Sequence, residues 1–508
     1  MQTSHQAGEV AEAYSPAEEA FNRRRGTIGL FLAPAVFVLL WVLPLSLPEA
    51  AHRMAAVLGL VVVLWLTEAL PLAATALLGP ALAVVLGIAP VRQALAPFAD
   101  PIIFLFIGGF ILAQAMFVHG VDRRIAYTAL SMPAVRTSAL RILLVYGAVC
   151  TSLSMWISNT ATTAMMFPIG LSIIAHLSRT TAGPSSQVRG FAMAMMLTAA
   201  FGASIGGMGT PVGTPPNLIG IGMLNKVAGI QVSFFQWMAI GVPVVALMFG
   251  AMIAQFYATS VRGLSIAEGS TELVGQELAR LGALKPGERN VLIAFATTVL
   301  LWILPGVLAI VGADRTAFAQ AYAAAVPESV AAILGALLLF VLPVDWRARR
   351  FTLTWNVAAR IDWGIVLLYG GGLALGELAF ATGLATAMGE AVTSWLPSQT
   401  TVVLTLIFTA AAIMLSETAS NTASANMIVP IAIAVSQAAG VPPLEPVLGA
   451  TLGASMGFMM PISTAPNAIV YSSGYIPLGQ MVRHGVVLDV IGFIVIVSVV
   501  LTLAPIIF

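Results

Sequence analysis

Charged residues are scarce in this 508-residue sequence, where Asp, Glu, Lys and Arg together make up 8%, against roughly 25% in a typical soluble protein. Hydrophobic residues account for 59%. This balance excludes an ordinary soluble protein, and the apolar runs reach the roughly 20 helical residues that a membrane span requires. The formal net charge of +1 gives no indication of a nucleic-acid partner.

The sequence also has few of the residues that usually perform catalysis. Its single cysteine, Cys150, excludes an intramolecular disulfide. The histidines are dispersed, at His5, His52, His119, His176 and His484. No Ser/His/Asp arrangement or metal-ligand spacing accompanies them, so we predict that the protein is not an enzyme.

Polar motifs are present instead, and they recur in the same order in two halves of the chain. The tripeptide Ser-Asn-Thr occurs at 158–160 and again at 420–422. Downstream of each copy, 213–217 reads GTPPN and 463–467 reads STAPN. Upstream lie the paired glycines Gly108-Gly109 and Gly371-Gly372, which we interpret as places of close helix packing. Broken polar segments at matching places in two apolar halves indicate a transporter's binding site in the middle of the membrane.

The apolar pattern predicts an all-α polytopic membrane protein with two inverted-topology repeats. It has about eleven transmembrane helices, and two re-entrant hairpins at about 138–178 and 399–438. The spans are predicted near 28–47, 54–70, 73–89, 100–120, 189–223, 235–260, 290–311, 327–343, 362–383, 445–473 and 484–507. Each hairpin could instead be two ordinary spans around a polar centre.

The predicted organisation follows from these spans. We expect a disordered cytoplasmic N-terminus (1–27), a first transmembrane helix (28–53), a first repeat (54–260), an amphipathic cytoplasmic linker (261–289) and a second repeat (290–508). The hairpin tips are 158–160 and 420–422, and the broken helices are 209–217 and 461–467.

The distribution of basic residues predicts the orientation. With the N-terminus in the cytoplasm and both hairpins re-entrant, the outside holds only Arg53, Arg92, Lys226 and Arg315 of the 22 Lys and Arg. The positive-inside rule favours this arrangement, which places the C-terminus outside. An odd number of spans separates equivalent positions of the two repeats, so the second repeat has the opposite orientation in the membrane. We expect a bacterial inner membrane.

The helix breaks are where we expect ligands. Proline cannot donate to the helix and clashes with the preceding turn, so 213–217 must break the helix. Unpaired backbone groups in a membrane must face protein or a water-filled cavity. Free carbonyls and hydroxyls can hold a cation, and helix N-termini can hold an anion. One hairpin tip and one broken helix in each half therefore predict two cation sites flanking one anion site.

No Arg or Lys falls within the four motif segments. An anion there would depend on neutral donors, helix ends and co-bound cations, which predicts that cations bind first. A single Pro break is usually only a kink, and a single Ser-Asn-Thr usually only caps a helix, but the ordered repetition favours a functional role. Of the intramembrane carboxylates, Glu68 and Glu377 are expected to brace helices, whereas Glu417 either tunes a site or makes a structural hydrogen bond.

These motifs resemble the divalent-anion/sodium symporter family of di- and tricarboxylate transporters. The resemblance rests on WISNTATTAMMFP, SIGGMGTPVGTPPNLI, the second SNT and PNAIVY, together with WLTEALPL and FADPIIFLFIGGF, and runs from about residue 54 to the C-terminus. It implies a homodimer whose protomers each have a scaffold domain and a transport domain, and an elevator-type motion.

The resemblance also implies the site residues. Sodium would be held at a first site by Ser154, Ser158, Asn159 and Gly213, and at a second by Ser416, Ala419, Asn421 and Ser463. The substrate would meet Asn159, Thr160, Thr214, Pro215, Asn421, Thr422, Thr464 and Ala465. Ala465 stands where many members have a second proline, which bears on the preferred anion.

The expected function is therefore sodium-coupled symport of C4 dicarboxylates such as succinate, malate or fumarate. One alternative is a dicarboxylate exchanger without net sodium flux, and another is a sodium symporter for sulfate or citrate. A passive channel is disfavoured because two tips closing on one site suit alternating access better than an open pore.

Overall fold

The computed structural model describes residues 16–135, 138–180, 185–264, 272–396 and 398–508. The first half contains α1 (Pro16–Val42), α2 (Glu49–Thr67), α3 (Leu72–Val85), α4 (Val91–Leu95), α5 (Pro101–His119), α6 (Val121–Leu130), α7 (Ala139–Ser154), α8 (Asn159–Thr180), α9 (Ser185–Gly207), α10 (Pro215–Ala228) and α11 (Phe234–Phe256). Short 3-10 turns at Ala96–Ala99 and Pro133–Val135 and a π-helical turn at Tyr257–Val261 complete this half.

The second half contains α12 (Glu272–Leu281), α13 (Pro286–Ile310), α14 (Ala317–Ala325), α15 (Glu328–Val341), β1 (Pro343–Asp345), β2 (Arg350–Phe351), α16 (Trp355–Ala358), α17 (Trp363–Ala381), α18 (Leu384–Thr393), α19 (Thr401–Thr418), α20 (Asn421–Ala438), α21 (Leu444–Gly453), α22 (Ala465–Tyr471) and α23 (Leu478–Ile507).

The predicted all-α membrane fold is confirmed. Within the described residues, ten helices are long and apolar enough to cross a membrane, or up to eleven if α14 and α15, which are bent by 67°, form one span. Two further apolar helices, α3 and α7, are shorter. Helices are expected here because backbone polar groups inside a bilayer must be paired within the chain.

The helices pack in two groups. The first, here called the frame, comprises α1, α2, α3, α5, α13, α15 and α17, in which α5 packs on α15 and α3 on α17. The second, here called the site group, comprises α7 to α11 and α19 to α23 and carries all four polar motifs. The groups meet where α17 contacts α10 and α20, and where α13 contacts α11.

Short helices join the frame to the site group at equivalent places in the two halves. In the first half α6 follows α5 through Gly120, whose φ is 71°, and in the second α18 follows α17 through Gly383, whose φ is 84°. Glycine adopts this left-handed conformation without steric cost. The chain therefore turns sharply out of each frame helix before it enters a hairpin.

Three of the four paired glycines permit close helix contacts, as their motif suggested. A Cβ on Gly108 would lie 2.6 Å from the carbonyl carbon of Ala332, and one on Gly371 would lie 2.2 Å from the Ala76 oxygen. A Cβ on Gly372 would lie 1.8 Å from Oδ1 of Asn426. A larger side chain at Gly108 or Gly371 would meet the backbone of the facing helix, whereas one at Gly372 would meet only the side chain of Asn426.

Some local predictions were wrong. Helix α1 begins at Pro16, so residues 16–27 are helical rather than disordered, and residues 1–15 lie outside the described part. The span predicted at 327–343 corresponds to α15, but the helix before it, α14, was not predicted. Val326-Pro327 interrupts the apolar run, so the two helices are not recognisable as one segment in the sequence. The small hairpin of β1 and β2 was missed, since its strands are too short to show a period.

Candidate substrate and sodium site

Each Ser-Asn-Thr motif lies at the tip of a helical hairpin and starts the second arm. Ser158 Oγ accepts a hydrogen bond from the Ala161 N–H at 3.2 Å, and Ser420 Oγ accepts one from the Ala423 N–H at 3.2 Å. A serine oxygen at this position satisfies one of the helix's unpaired donors. The sequence therefore ends one helix and begins the next at the tip.

The asparagine of each tip is bonded back to the first arm. Ser154 Oγ donates to Oδ1 of Asn159 at 2.8 Å, and Ser416 Oγ donates to Oδ1 of Asn421 at 2.7 Å. Both serines are fully buried, whereas both asparagines keep partial exposure. Each predicted cation site thus has a buried hydroxyl and an amide oxygen in direct contact.

In each broken helix, the side chain of an asparagine bonds to backbone carbonyls across the break. Nδ2 of Asn217 donates to the carbonyls of Gly207 at 2.8 Å and Thr210 at 2.7 Å. In the second half, Nδ2 of Asn467 donates to the carbonyls of Gly457 and Met460, both at 2.9 Å.

These bonds pair carbonyls that a helix break leaves without N–H partners. Both asparagines are fully buried, so they brace the break rather than face a ligand through their amide nitrogens.

Glycines bring each tip against its broken helix. A Cβ on Gly207 would lie 2.5 Å from Oδ1 of Asn159 and 3.1 Å from Cβ of Thr214. A Cβ on Gly457 would lie 3.1 Å from Oδ1 of Asn421 and 3.2 Å from Cγ2 of Thr464. The predicted tip and break residues are therefore neighbours in each half.

Exposure separates most predicted sodium ligands from predicted substrate contacts. Four ligand side chains are at most 4% exposed: Ser154, Ser416, Ala419 and Ser463; Gly213 is also buried. Most predicted substrate contacts keep accessible surface, namely Asn159, Thr160, Pro215, Asn421, Thr422, Thr464 and Ala465. Thr214 is buried and Ser158 is exposed, against the pattern, and the partly exposed Asn159 and Asn421 belong to both sets.

The halves pack crosswise. Helix α10, which follows the first break, packs on α20, which follows the second tip, and α22 packs on α8 in the same way. Four helices begin at the motifs, and their N-terminal ends carry partial positive charge. Within the described residues no group of three or more His, Cys, Asp or Glu side chains is placed to hold a metal ion. The oxygens available for a cation are therefore mainly neutral ones, which suit a hard monovalent ion better than a transition metal.

Several residues that shape the site were not among the predicted ligands. Thr210 Oγ1 donates to the Met155 carbonyl and so ties the first break to the first tip. Glu417 ties the second break to the second tip, accepting from Ser463 Oγ at 2.9 Å. Asn217 and Asn467, which close the two breaks, could be recognised in the sequence only because the motif recurs. This repetition was the available signal, but the role of the asparagines depends on contacts that local sequence does not give.

Glu68 and Glu377 lie away from the site, as expected. Glu68 pairs with Arg25 at 2.9 Å and so joins α2 to α1. Glu377 lies on α17 near the ion pair of Lys226 and Asp100, where the frame meets the site group.

Two matching pairs of hairpin tip and broken helix, set in an all-helical bundle of membrane-spanning length, define a membrane transporter and not an enzyme. The sodium:sulfate symporter transmembrane region matches residues 25–508 of the chain. The chain therefore belongs to this family, which confirms the resemblance to the divalent-anion/sodium symporters.

The curated relatives include sodium-dependent dicarboxylate transporters named SdcS. The protein of Staphylococcus saprophyticus is 34% identical over 484 residues, covering 94% of this chain and 91% of the relative. The protein of Staphylococcus aureus strain USA300 is 35% identical over 489 residues, with the same coverage.

Solved structures with a similar fold include two transporters. The YdaH transporter of Alcanivorax borkumensis aligns with a TM-score of 0.54 at 12% identity, covering 96% of this chain and 98% of that one. MtrF of Neisseria gonorrhoeae aligns with a TM-score of 0.56 at 11% identity, covering 94% and 97%. At this identity the likeness concerns the fold alone.

Proposed function

We propose that this protein is a sodium-coupled symporter of C4 dicarboxylates such as succinate, malate and fumarate. The observation that carries the proposal is the paired site, in which a hairpin tip meets a broken helix twice without any Arg or Lys in the four motif segments. A dianion bound there needs positive charge from helix ends and from co-bound cations. The names of the staphylococcal relatives, as sodium-dependent dicarboxylate transporters, support the same choice of ions.

Two sodium ions bind, one in each half. The first site consists of Ser154, Ser158, Asn159 and Gly213, and the second of Ser416, Ala419, Asn421 and Ser463. The contacts of Ser154 with Asn159 and of Ser416 with Asn421 support both assignments. The carboxylates of the substrate meet the more exposed edge of the tips and breaks, formed by Asn159, Thr160, Thr214, Pro215, Asn421, Thr422, Thr464 and Ala465.

Transport proceeds by an elevator motion of the site group against the frame. The division of the helices into two packed groups supports this proposal, because all four motifs lie in one group. The frame is the scaffold of a homodimer in a bacterial inner membrane. The two repeats are inverted, the N-terminus is cytoplasmic and the C-terminus lies outside, as the distribution of Lys and Arg favours.

A second candidate substrate is sulfate, because the matched family is described by sodium:sulfate symport. Ala465, at the start of α22, is where the second half departs from the Pro-Pro of the first. Since this position lies at the substrate edge, it bears on the choice between sulfate, citrate and C4 dicarboxylates.

The test is uptake of radiolabelled succinate into proteoliposomes. An inward sodium gradient is compared with an equal potassium gradient, with and without internal succinate, and unlabelled sulfate and citrate serve as competitors. Symport predicts uptake that needs sodium and no internal substrate. Uptake that needs internal dicarboxylate and ignores sodium would establish an exchanger. Competition by sulfate alone would identify sulfate, rather than a C4 dicarboxylate, as the preferred substrate.

A further inference from the structure

Glu417 gives the second half a buried carboxylate at a position where the first half has Met155. It follows Ser416 just as Met155 follows Ser154. Its side chain is 7% exposed, and its Oε1 accepts from the N–H of Phe458 at 2.6 Å and of Met459 at 2.9 Å. The backbone carbonyl of Glu417 also accepts from Ser463 Oγ, at 3.0 Å. Glu417 therefore holds a predicted sodium ligand through both its side chain and its backbone.

The first half closes the equivalent part of its break without a carboxylate. There the N–H groups of Met208 and Gly209 donate to the carbonyls of Ile205 and Gly206, at 3.2 and 2.9 Å. These two N–H groups have acceptors in the preceding turn because α9 continues to Gly207. Helix α21 ends earlier, at Gly453, so the corresponding N–H groups of Phe458 and Met459 have Glu417 as their acceptor.

A second carboxyl group lies against Glu417. Asp489 on α23 is 6% exposed, and its carboxyl is close enough to share a hydrogen bond with that of Glu417. No N–H or hydroxyl of the described residues donates to either Asp489 oxygen. Glu417 accepts three donor groups, the N–H of Phe458, the N–H of Met459 and the hydroxyl of Ser463, and hydrogen bonds of this kind favour the charged form of a carboxyl group.

We propose that Glu417 is a positioning residue that makes the two sodium sites unequal, with the second site binding sodium more tightly. This inference rests on the proposed function. Glu417 places a carboxyl group that accepts three donors one residue from Ser416 and in contact with Ser463, whereas Met155 places none beside Ser154. In a partly buried site, a unit charge a few Å from a cation changes its affinity by tenfold or more.

The experiment compares Glu417→Gln with Met155→Glu, which adds a carboxylate at the matching place and removes no polar side-chain contact. The sodium concentration for half-maximal succinate uptake is measured, together with its Hill coefficient. The rise in Tm with sodium in detergent, without succinate, reports binding independently of turnover.

In Glu417→Gln the half-maximal sodium concentration should rise at least about tenfold. Its Hill coefficient should fall, while the succinate KM at saturating sodium stays within about twofold. Met155→Glu should lower the half-maximal sodium concentration. Glu417→Asp, which keeps the charge, should restore part of the affinity.

Asp489→Asn is the matched control, because an amide of the same size can still donate to the carboxyl group of Glu417. It should keep the sodium affinity of the wild type. A loss of affinity in Asp489→Asn but not in Glu417→Gln would overturn the inference, as would unchanged sodium dependence in both Glu417→Gln and Met155→Glu. A wild type whose uptake ignores sodium would instead contradict the proposed function itself.

Discussion

In the first half the buried carboxylate Asp100 lies where the site group meets the frame, whereas in the second half the buried carboxylates Glu417 and Asp489 lie inside the site group. Lys226 at the end of α10 pairs with Oδ2 of Asp100 at 3.1 Å, and the Tyr369 hydroxyl donates to Oδ1 of Asp100 at 3.3 Å. Asp100 begins α5 and Tyr369 lies on α17, both in the frame. Glu417 and Asp489 lie on α19 and α23, both in the site group.

The difference assigns the two charged clusters to different steps. In the proposed elevator motion a contact across the boundary breaks when one group slides past the other, so we expect Asp100 and Lys226 to bear on movement. A contact within one group would persist through that motion, so we expect Glu417 to bear on ion binding. The two halves share the geometry of their motifs, and we propose that they divide these tasks between them.

The largest expected effect comes from crosslinking the frame to the site group. In the double variant Gly372→Cys and Asn426→Cys, one cysteine lies on α17 of the frame and the other on α20 of the site group. A Cβ on Gly372 would lie 2.4 Å from Cγ of Asn426, which brings the two Cβ atoms within disulfide range. We expect oxidation to abolish succinate uptake while sodium-dependent succinate binding remains, and reductant to restore uptake.

The single variant Asn426→Cys, treated with the same oxidant, is the control for this crosslink. The native Cys150 is fully buried and should contribute little background. Normal turnover in the fully crosslinked protein would argue against an elevator motion.

The next largest effect should come from the tip asparagines, Asn159 and Asn421, which the two halves share. Asn159→Ala and Asn421→Ala should each raise the sodium requirement and weaken uptake about tenfold or more, because each amide is proposed to serve both cation and anion. Uptake is measured across a sodium series. The exposed Gln437, near the far end of α20, provides a control as Gln437→Ala. Wild-type sodium dependence in both asparagine variants would contradict the two-site assignment.

A smaller effect is expected from the charge at the boundary. Lys226→Met removes the ion pair while Asp100 keeps the Tyr369 hydroxyl. Because the Lys226 side chain is 41% exposed, solvent screens the pair, and turnover should change by only about three- to fivefold. The half-maximal sodium concentration should stay near that of the wild type. If Lys226→Met shifts sodium affinity as strongly as Glu417→Gln, the division of tasks fails.

The smallest effect should follow from making the second break resemble the first. Ala465→Pro places proline at the first position of α22, where its missing N–H costs little. Thr464 has φ −145° and ψ 147°, nearly the angles of Thr214 before Pro215, and this extended conformation suits a residue before proline.

For Ala465→Pro we expect retained uptake and a gain of about 0.4–1 kcal/mol in stability, read as a rise in Tm. Competition by sulfate and citrate is measured in the same variant. A large loss of stability would show that the two breaks differ more in backbone geometry than their angles indicate.

The positions of the tips and breaks were predictable because their causes are local. Pro215 and Pro216 cannot continue a preceding helix but suit the first turn of a new one, and Ser158 and Ser420 are good helix caps wherever the chain lies. The helices of spanning length among the described residues were predictable from apolar length, although α8 and α19 among them belong to the predicted hairpins. These features need no knowledge of which helices meet.

The remaining features depend on neighbours that are distant in sequence. The sequence identified Glu417 as an intramembrane carboxylate, but its role depends on α21 ending at Gly453, before Phe458 and Met459. Asp489 and Lys226 gain meaning only once α23 packs on α19 and α10 packs on α17. Charge on a helix is visible in the sequence, but its partner is a property of the packing.

The asparagine braces have a consequence for how such a chain could arise. Nδ2 of Asn217 and Nδ2 of Asn467 each donate to the carbonyls seven and ten residues before them. The asparagine brace of each break is thus contained in one short piece of sequence, to which Thr210 and Glu417 add contacts with the tips. A duplicated copy would carry its own break into the membrane whichever way it entered. The brace is the same in both halves, whereas the carboxylate of Glu417 has Met155 at the matching place of the first half.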